Sequence, residues 1–154
     1  MRERATATDY ALLLLRMAGL LLAIGHGWAK VHGFATGAEG FIGGVVRLGL
    51  PMPVLFAWAA GLSEFVGGLL VAVGLMTRTA AFFAACTMAM AAFVRHRSLL
   101  LFGTWIGITS ADPEVLQAAG DPERALLFLV IMLALMLMGA GRLSLDRKLA
   151  DRRR

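Results

Sequence analysis

The chain has 154 residues, of which 59% are hydrophobic and only 16% are charged, and its mean hydropathy is +0.77. A soluble domain normally carries about 25% charged residues, so this composition argues against one and predicts a single membrane domain over residues 1–154. The net charge of +5 does not indicate a nucleic-acid partner, because many basic residues lie at segment ends and in the tail and do not line one helix.

Four stretches are apolar and long enough to be membrane helices, which need about 20 residues. They cover residues 10–30, 53–75, 79–94 and 122–139. Arg2 and Arg4 resemble the start of a signal peptide, but Arg16 interrupts the apolar run and no convincing cleavage site follows, so we expect a permanent helix. The sequence therefore predicts an all-α membrane protein, an antiparallel bundle of four transmembrane helices.

The first predicted helix carries three ionisable residues on one face. At about 100° per residue, Arg16, His26 and Lys30 fall within about 80° of one another. The same face carries small residues: Gly19, Ala23 and Gly27. Small residues at four-residue spacing let helix backbones approach closely, so this charged face is predicted to be the packed face.

A long connection over residues 31–52 follows the first helix. Within it, Phe41, Val45 and Leu48 recur at helical spacing. This spacing predicts a short amphipathic helix that lies on the membrane surface.

The second predicted helix repeats the pattern around Glu64. Small residues lie on the same side as this carboxylate: Ala57, Ala60, Gly61, Gly67 and Gly68. A glutamate side chain is too short to reach water from the middle of a membrane, and an ionisable group there is a functional candidate by default. We therefore expect Glu64 to face inward, toward basic neighbours.

Only residues 76–78 separate the second helix from the third, which predicts an antiparallel hairpin. The single cysteine, Cys86, lies among aromatic residues and methionine and is expected to be a small core residue. Without a second cysteine the chain has no dithiol with which to carry electrons. Arg95 and His96 follow at the outer end of this helix.

The second long connection, residues 95–121, carries two helix-start signals. Asp112-Pro113-Glu114 and Asp121-Pro122-Glu123 each combine an N-cap residue, a proline at the first helical position and an acid in the first turn. The first signal predicts a short interfacial helix that ends at Gly120. The second opens the fourth crossing.

Charge sets the expected orientation. Nine basic residues lie on the side of the short hairpin and five on the side of the long connections. By the positive-inside rule, both termini and the basic tail 142–154 are predicted to be cytoplasmic. Trp28, Trp58 and Trp105 lie near the outer ends of their segments, where indoles prefer the headgroup region.

Depth indicates which ionisable groups can meet. At about 1.5 Å per residue, Arg16 lies only about 9 Å from the cytoplasmic side, whereas Glu64 and His26 lie more than about 16 Å in. Glu64 is therefore expected to face His26 or Arg95, and Arg16 to pair or to reach the inner interface.

Two interpretations of these groups stay open: a structural ion-pair network, or an outward-open polar cavity for a redox head group or another small polar ligand. In the second, Glu64 and His26 would form a proton-transfer pair. The ligand-binding or ion-pair network would comprise Arg16, Lys30, Arg95, His96 and Glu123. A haem site would need axial ligands, and His26 and His96 are the only pair at plausible positions, so haem is not expected. The sequence also contains no zinc or iron–sulfur motif.

Several groups of residues together resemble the DoxX family of small bacterial membrane proteins. They are Arg16 with Gly19, Gly25-His26-Gly27 with Lys30, Leu48-Gly49-Leu50-Pro51, Glu64 with Gly67-Gly68, Gly74 through Arg78, and the tail from Gly139 to Asp146. The resemblance covers nearly the whole chain and implies a four-helix bundle in the bacterial inner membrane. The DoxX family is part of the broader DoxX and DoxD group, which includes the small subunit of thiosulfate:quinone oxidoreductase. One departure is Gly139-Ala140-Gly141, where the family commonly has Gly-Pro-Gly.

The resemblance implies a membrane component of a quinone-linked oxidoreductase system. Since the chain supplies no redox centre, electrons would come from a bound quinone or a partner redox subunit. The alternative is a non-catalytic scaffold or assembly factor whose buried charges stabilise the bundle or bind a partner helix. A small transporter is a third interpretation, although four helices without inverted repeats leave little room for a pathway. Whether the chain forms a homo-oligomer stays open.

Overall fold

The computed structural model describes residues 5–37 and 40–152, and every regular element in these ranges is a helix. The helices are α1 Ala7–Ala35, α2 Gly40–Arg47, α3 Pro53–Val73, α4 Thr77–Arg95, α5 Ser98–Trp105, α6 Pro113–Ala119, α7 Glu123–Met138 and α8 Leu145–Arg152. Of these, α1, α3 and α4 are long and apolar enough to cross a membrane. Four of the basic residues counted for the orientation lie outside the described residues: Arg2, Arg4, Arg153 and Arg154.

The long helices occupy the four predicted stretches, but two of them contain features that the sequence did not predict. α1 continues past Lys30 to Ala35, and its residues Ala23–Gly27 form a π-helical segment. Residues Met90–Arg95 of α4 form a second one. Because a π turn holds more residues than the 3.6 of an α turn, angles counted at 100° per residue do not carry across either segment.

Glycines bring α1 and α3 into direct backbone contact. A Cβ atom on Gly19 would lie 2.6 Å from the carbonyl oxygen of Gly68, and one on Gly68 would lie 2.5 Å from that of Gly19. Any side chain at either position would push the two helices apart. The prediction that the small-residue faces are the packed faces is confirmed for this pair.

The core is largest between α4 and α7. α4 contributes mostly small side chains, such as Ala81 and Ala84, and α7 fills the space against them with Met132 and Leu135, both fully buried. α3 packs between α1 and α4, and α7 also contacts α1. Large apolar side chains lie on the outer surfaces of the helices, among them Leu14, Val130 and Leu137. Such an exterior suits contact with lipid.

The shorter helices follow the start and stop signals in the sequence. α2 contains the predicted Phe41 and Val45, and α6 begins at Pro113 and ends before Gly120. The Asp121 carboxylate accepts a hydrogen bond from the Glu123 amide at 2.8 Å, at the start of α7. α8 was not predicted, because the sequence analysis treated residues 142–154 only as a basic tail.

Candidate functional site

The buried carboxylate of Glu64 forms an ion pair with Lys30, between the middle of α3 and the later part of α1. Glu64 is 0% exposed and the Lys30 side chain 19%. The Lys30 ammonium also lies 4.3 Å from the centre of the Phe41 ring of α2, within the range of a cation–π interaction. The prediction that Glu64 turns inward toward a basic neighbour is confirmed.

The partner itself differs from the expected His26 or Arg95. Among the described residues no hydrogen bond joins Glu64 to either of them, and the ring of His26 packs edge-on against Phe128 of α7 at 5.7 Å. Because Lys30 follows the π segment, its side chain does not point in the direction that 100° per residue predicts. Its long side chain also spans the difference in depth between Lys30 and Glu64. The proposed His26–Glu64 proton-transfer pair is therefore not hydrogen-bonded.

Two glycines allow this approach of α1 and α3. A Cβ atom on Gly27 would lie 2.4 Å from the backbone nitrogen of Phe65. A Cβ atom on Gly61 would lie 2.9 Å from the Phe34 ring and 3.4 Å from the Cβ of Lys30. The backbones therefore touch within a few residues of the ion pair, which lets a short glutamate side chain meet the lysine.

A cavity of about 460 Å³ adjoins the ion pair. α3 and α4 form its side walls and α2 covers it, and the polar groups Lys30 and Glu64 are part of its lining. Most of the remaining wall is apolar: Phe41, Val45, Phe56, Ala60, Phe83, Met90 and Ala91. Cys86 also lines this cavity and is exposed, so the expectation that it is a core residue is wrong.

The two hydroxyl groups in the wall satisfy each other. Ser63 of α3 and Thr87 of α4 are hydrogen-bonded together across the helix pair. Ser63 also bonds the Ala60 carbonyl at 3.0 Å, and Thr87 the Phe83 carbonyl at 3.2 Å. With one proton each, the two hydroxyls donate in two of these three contacts at a time, so neither donates into the cavity in this arrangement.

Two buried polar atoms of the predicted site have no hydrogen-bond partner among the described residues. One is Oε2 of Glu64 and the other is Nδ1 of His26. Buried polar atoms are nearly always paired with protein or water, so each exception needs an explanation. His26 lies within a π segment, and π segments are frequent at functional sites.

Arg95 and His96 connect the end of α4 to α6. Arg95 Nη1 donates to the Ala118 carbonyl at 3.2 Å, and His96 Nδ1 donates to the Ala119 carbonyl at 2.7 Å. Arg95 also lines the cavity beside Glu64 and a second one of about 870 Å³ between α2, α4 and α6. Glu123 lies in the first turn of α7, and no ion pair involves it in the described part of the chain.

Among the described residues, no ion pair joins Arg16 to a carboxylate. It is 3% exposed, and its guanidinium donates to four backbone carbonyls: Val71 at 3.1 Å, Ala72 at 2.8 Å, Ala140 at 3.1 Å and Leu143 at 2.7 Å. The first two carbonyls lie at the carboxyl end of α3, where the helix dipole favours a cation. Arg16 thereby ties the end of α3 to the segment after α7.

Two aspartates complete this end of the bundle, and the sequence analysis did not single them out as functional. Asp9 caps α1 with Thr6 and accepts a hydrogen bond from the Arg142 amide at 2.9 Å. Asp146 accepts from the amides of Met76 and Thr77 at 2.7 and 3.0 Å, at the start of α4. The Thr6-to-Asp9 spacing is a capping signal that a closer inspection of the sequence can find. Nothing local reveals the contact of Asp146.

Comparison with known proteins places these features in a family. The family model named DoxX matches residues 11–97, which include Arg16, His26, Lys30 and Glu64. The chain is also 33% identical over 139 residues to an uncharacterized protein of Haemophilus influenzae, and the match covers 90% of each chain. No solved structure gives a significant match. By the family match and this identity, the chain belongs to the DoxX family of membrane proteins.

Proposed function

We propose that this protein is the membrane component of a quinone-linked oxidoreductase system and that a quinone head group binds in the cavity beside Lys30 and Glu64. The observation that carries the proposal is the cavity itself: an apolar pocket with a buried ion pair in its lining. Small-molecule sites are typically concave, about 300–1,000 Å³, mostly apolar, and orient their ligand with a few polar groups. The cavity of about 460 Å³ fits each of these features.

The position of the cavity also suits a lipid-soluble ligand. Phe83, Cys86 and Met90 line the cavity and are exposed on the surface of α4. A ligand can therefore enter sideways from the bilayer without passing through water. Arg47 and Arg95 supply donors in the same lining, where α2 meets the end of α4. Electrons would come from a partner redox subunit, since the single cysteine provides no dithiol.

The proposal includes the membrane arrangement. All 154 residues form one domain, in which α1, α3, α4 and α7 cross the inner membrane as an antiparallel bundle and α2, α5 and α6 lie at the outer interface. The 16 residues of α7 span about 24 Å, with Pro122 at the N-cap and Gly139, which has a φ of 81°, at the C-cap. Its packing along α4 supports a path through the bilayer beside α4 and in the opposite chain direction. Both termini are then cytoplasmic.

Binding of a short-chain ubiquinone to the protein in lipid nanodiscs tests the proposal. Ala91→Phe places a large ring in the cavity wall, and we expect it to weaken binding at least about tenfold. Ala11→Phe is the matched control on the exposed surface of α1 and should leave binding unchanged. Folded wild-type protein that neither binds the ubiquinone nor copurifies with any quinone would contradict the proposal.

A second candidate function is a scaffold or assembly factor. It is favoured by Arg16, whose charge is used entirely on backbone carbonyls that hold three segments together. Glu64→Gln separates the two candidates. If the variant expresses and folds normally but no longer binds quinone, the result supports the redox component. If the variant does not fold and the wild type binds no quinone, the result supports the scaffold.

A further inference from the structure

The acceptor left unpaired at Glu64 restricts the chemistry of the ligand. As the ion-pair partner of Lys30, the carboxylate has no proton to donate and offers two oxygens that accept. Lys30 engages Oε1, and Oε2 receives no hydrogen bond from any described residue. The end torsion of a glutamate side chain is broad and roughly two-fold, so the two oxygens are exchanged by about half a turn of the carboxylate.

None of the neighbouring donors is bonded to Oε2 of Glu64 in the described part of the chain. The Lys30 ammonium is held between the carboxylate and the face of the Phe41 ring. The protons of Ser63 and Thr87 are used within the helix pair. Arg47 and Arg95 also line the cavity, where α2 meets the end of α4, and no hydrogen bond among the described residues joins either of them to Glu64. Oε2 of Glu64 is therefore an acceptor without a donor.

We propose that this cavity prefers a head group that presents a hydroxyl, such as a hydroquinone or another phenol, over one that presents only carbonyl or ether oxygens. A phenolic O–H donates to the Glu64 carboxylate, whereas a carbonyl oxygen there places two acceptors against each other. The inference rests on the proposed function in one respect, namely that it places the ligand in the same cavity. It concerns binding and requires no electron transfer.

The test compares two probes, one with a hydroxyl proton and one with a methyl group in its place. A 4-alkylphenol and the 4-alkylanisole of the same chain length are titrated into the protein in nanodiscs, with empty nanodiscs to correct for partition into lipid. Because a hydrogen bond to a charged group is among the stronger ones, we expect the phenol to bind at least about tenfold more tightly. Equal affinity of the two probes for folded wild-type protein would overturn the inference.

Variants locate the preference at Glu64. Glu64→Gln keeps the shape but adds an amide donor, so the ratio of the two affinities should fall toward one. Asp151→Asn removes a carboxylate from exposed α8 and should leave the ratio unchanged. If the Glu64 variant does not fold, the comparison on wild-type protein still decides, because it needs no substitution.

The outcomes separate this inference from the proposed function. Binding of ubiquinone together with equal binding of phenol and anisole overturns the inference and leaves the quinone site. A phenol preference in a protein that neither binds ubiquinone nor copurifies with any quinone supports the inference and overturns the quinone-linked role. Failure of all three probes to bind overturns both.

Discussion

Gly27 and Gly25 lie two positions apart on α1, yet only Gly27 touches α3. A Cβ atom at Gly27 would lie 2.4 Å from the Phe65 nitrogen and 2.5 Å from its Cα, whereas a Cβ atom at Gly25 would meet nothing within 4 Å. The contact is with backbone, which cannot move aside as a flexible side chain can. The short distance between the helices near the Lys30–Glu64 pair therefore requires that position 27 carry no side chain.

Gly27→Ala should destabilise the protein by about 1–3 kcal/mol, the usual cost of overpacking a tight contact. Gly25→Ala is the matched control and should be neutral or slightly stabilising, because alanine is the better helix former. Thermal unfolding of both variants in the same detergent measures the difference. Equal midpoints for the two variants would show that the close approach does not constrain the bundle.

Arg16 and Lys30 show how two cations on one helix acquire different roles. Arg16 meets only carbonyls, and its planar guanidinium with five donors suits several acceptors at once. Lys30 meets a carboxylate beside a cavity. Residue type alone does not distinguish a structural cation from a site residue here.

At the scale of elements, the π segments lie where the candidate residues lie. Ala23–Gly27 contains His26 and comes one turn before Lys30, and Met90–Arg95 ends on Arg95 in the wall of both cavities. A local change of helical phase can aim side chains that a regular helix would direct elsewhere. Both segments therefore help to shape the site.

The start of α4 depends on an element far away in sequence. Asp146 supplies the cap that Met76 and Thr77 lack locally, since Met76 has a φ of 48° and no capping side chain of its own. We expect Asp146→Ala to cost about 1–2 kcal/mol, as the loss of a helix cap does. Thermal unfolding in detergent measures this cost.

Asp151→Ala provides the comparison for Asp146→Ala. Asp151 pairs with Arg147 on the exposed face of α8 at 3.2 Å, and exposed ion pairs contribute little. A loss as large as that of Asp146→Ala would mean that the tail helix as a whole, and not the cap, stabilises this end of the bundle.

At the scale of the whole molecule, the proposed crossings predict which surfaces reagents can reach. Ser110 lies in the exposed connection between α5 and α6, and Asp151 lies on exposed α8. In a Cys86→Ala background, a maleimide that cannot cross membranes should label the Ser110→Cys variant in intact spheroplasts. It should label the Asp151→Cys variant only after permeabilisation.

Labelling of both positions from the same side would contradict a crossing by α7. The opposite labelling pattern would invert the orientation derived from the basic residues. The experiment thus tests the fourth crossing and the cytoplasmic tail separately.

The sequence by itself determined the positions of the long helices, the packing of their small-residue faces and the inward direction of Glu64. These properties follow from local composition and from spacing along one helix, because each helix needs about 20 apolar residues and a glycine face admits a neighbour whichever helix it is. The helix starts at Pro113 and Glu123 were equally local, since each lies within an Asp-Pro-Glu signal of three adjacent residues.

Only the tertiary structure decided that Lys30 pairs with Glu64, that Arg16 binds carbonyls, and that a cavity lies beside the ion pair. Each depends on where separate segments meet: the π segment changes the phase of α1, and the carbonyls that receive Arg16 come from two segments far along the chain. Periodicity in one helix carries no information on the partner that another helix brings to it.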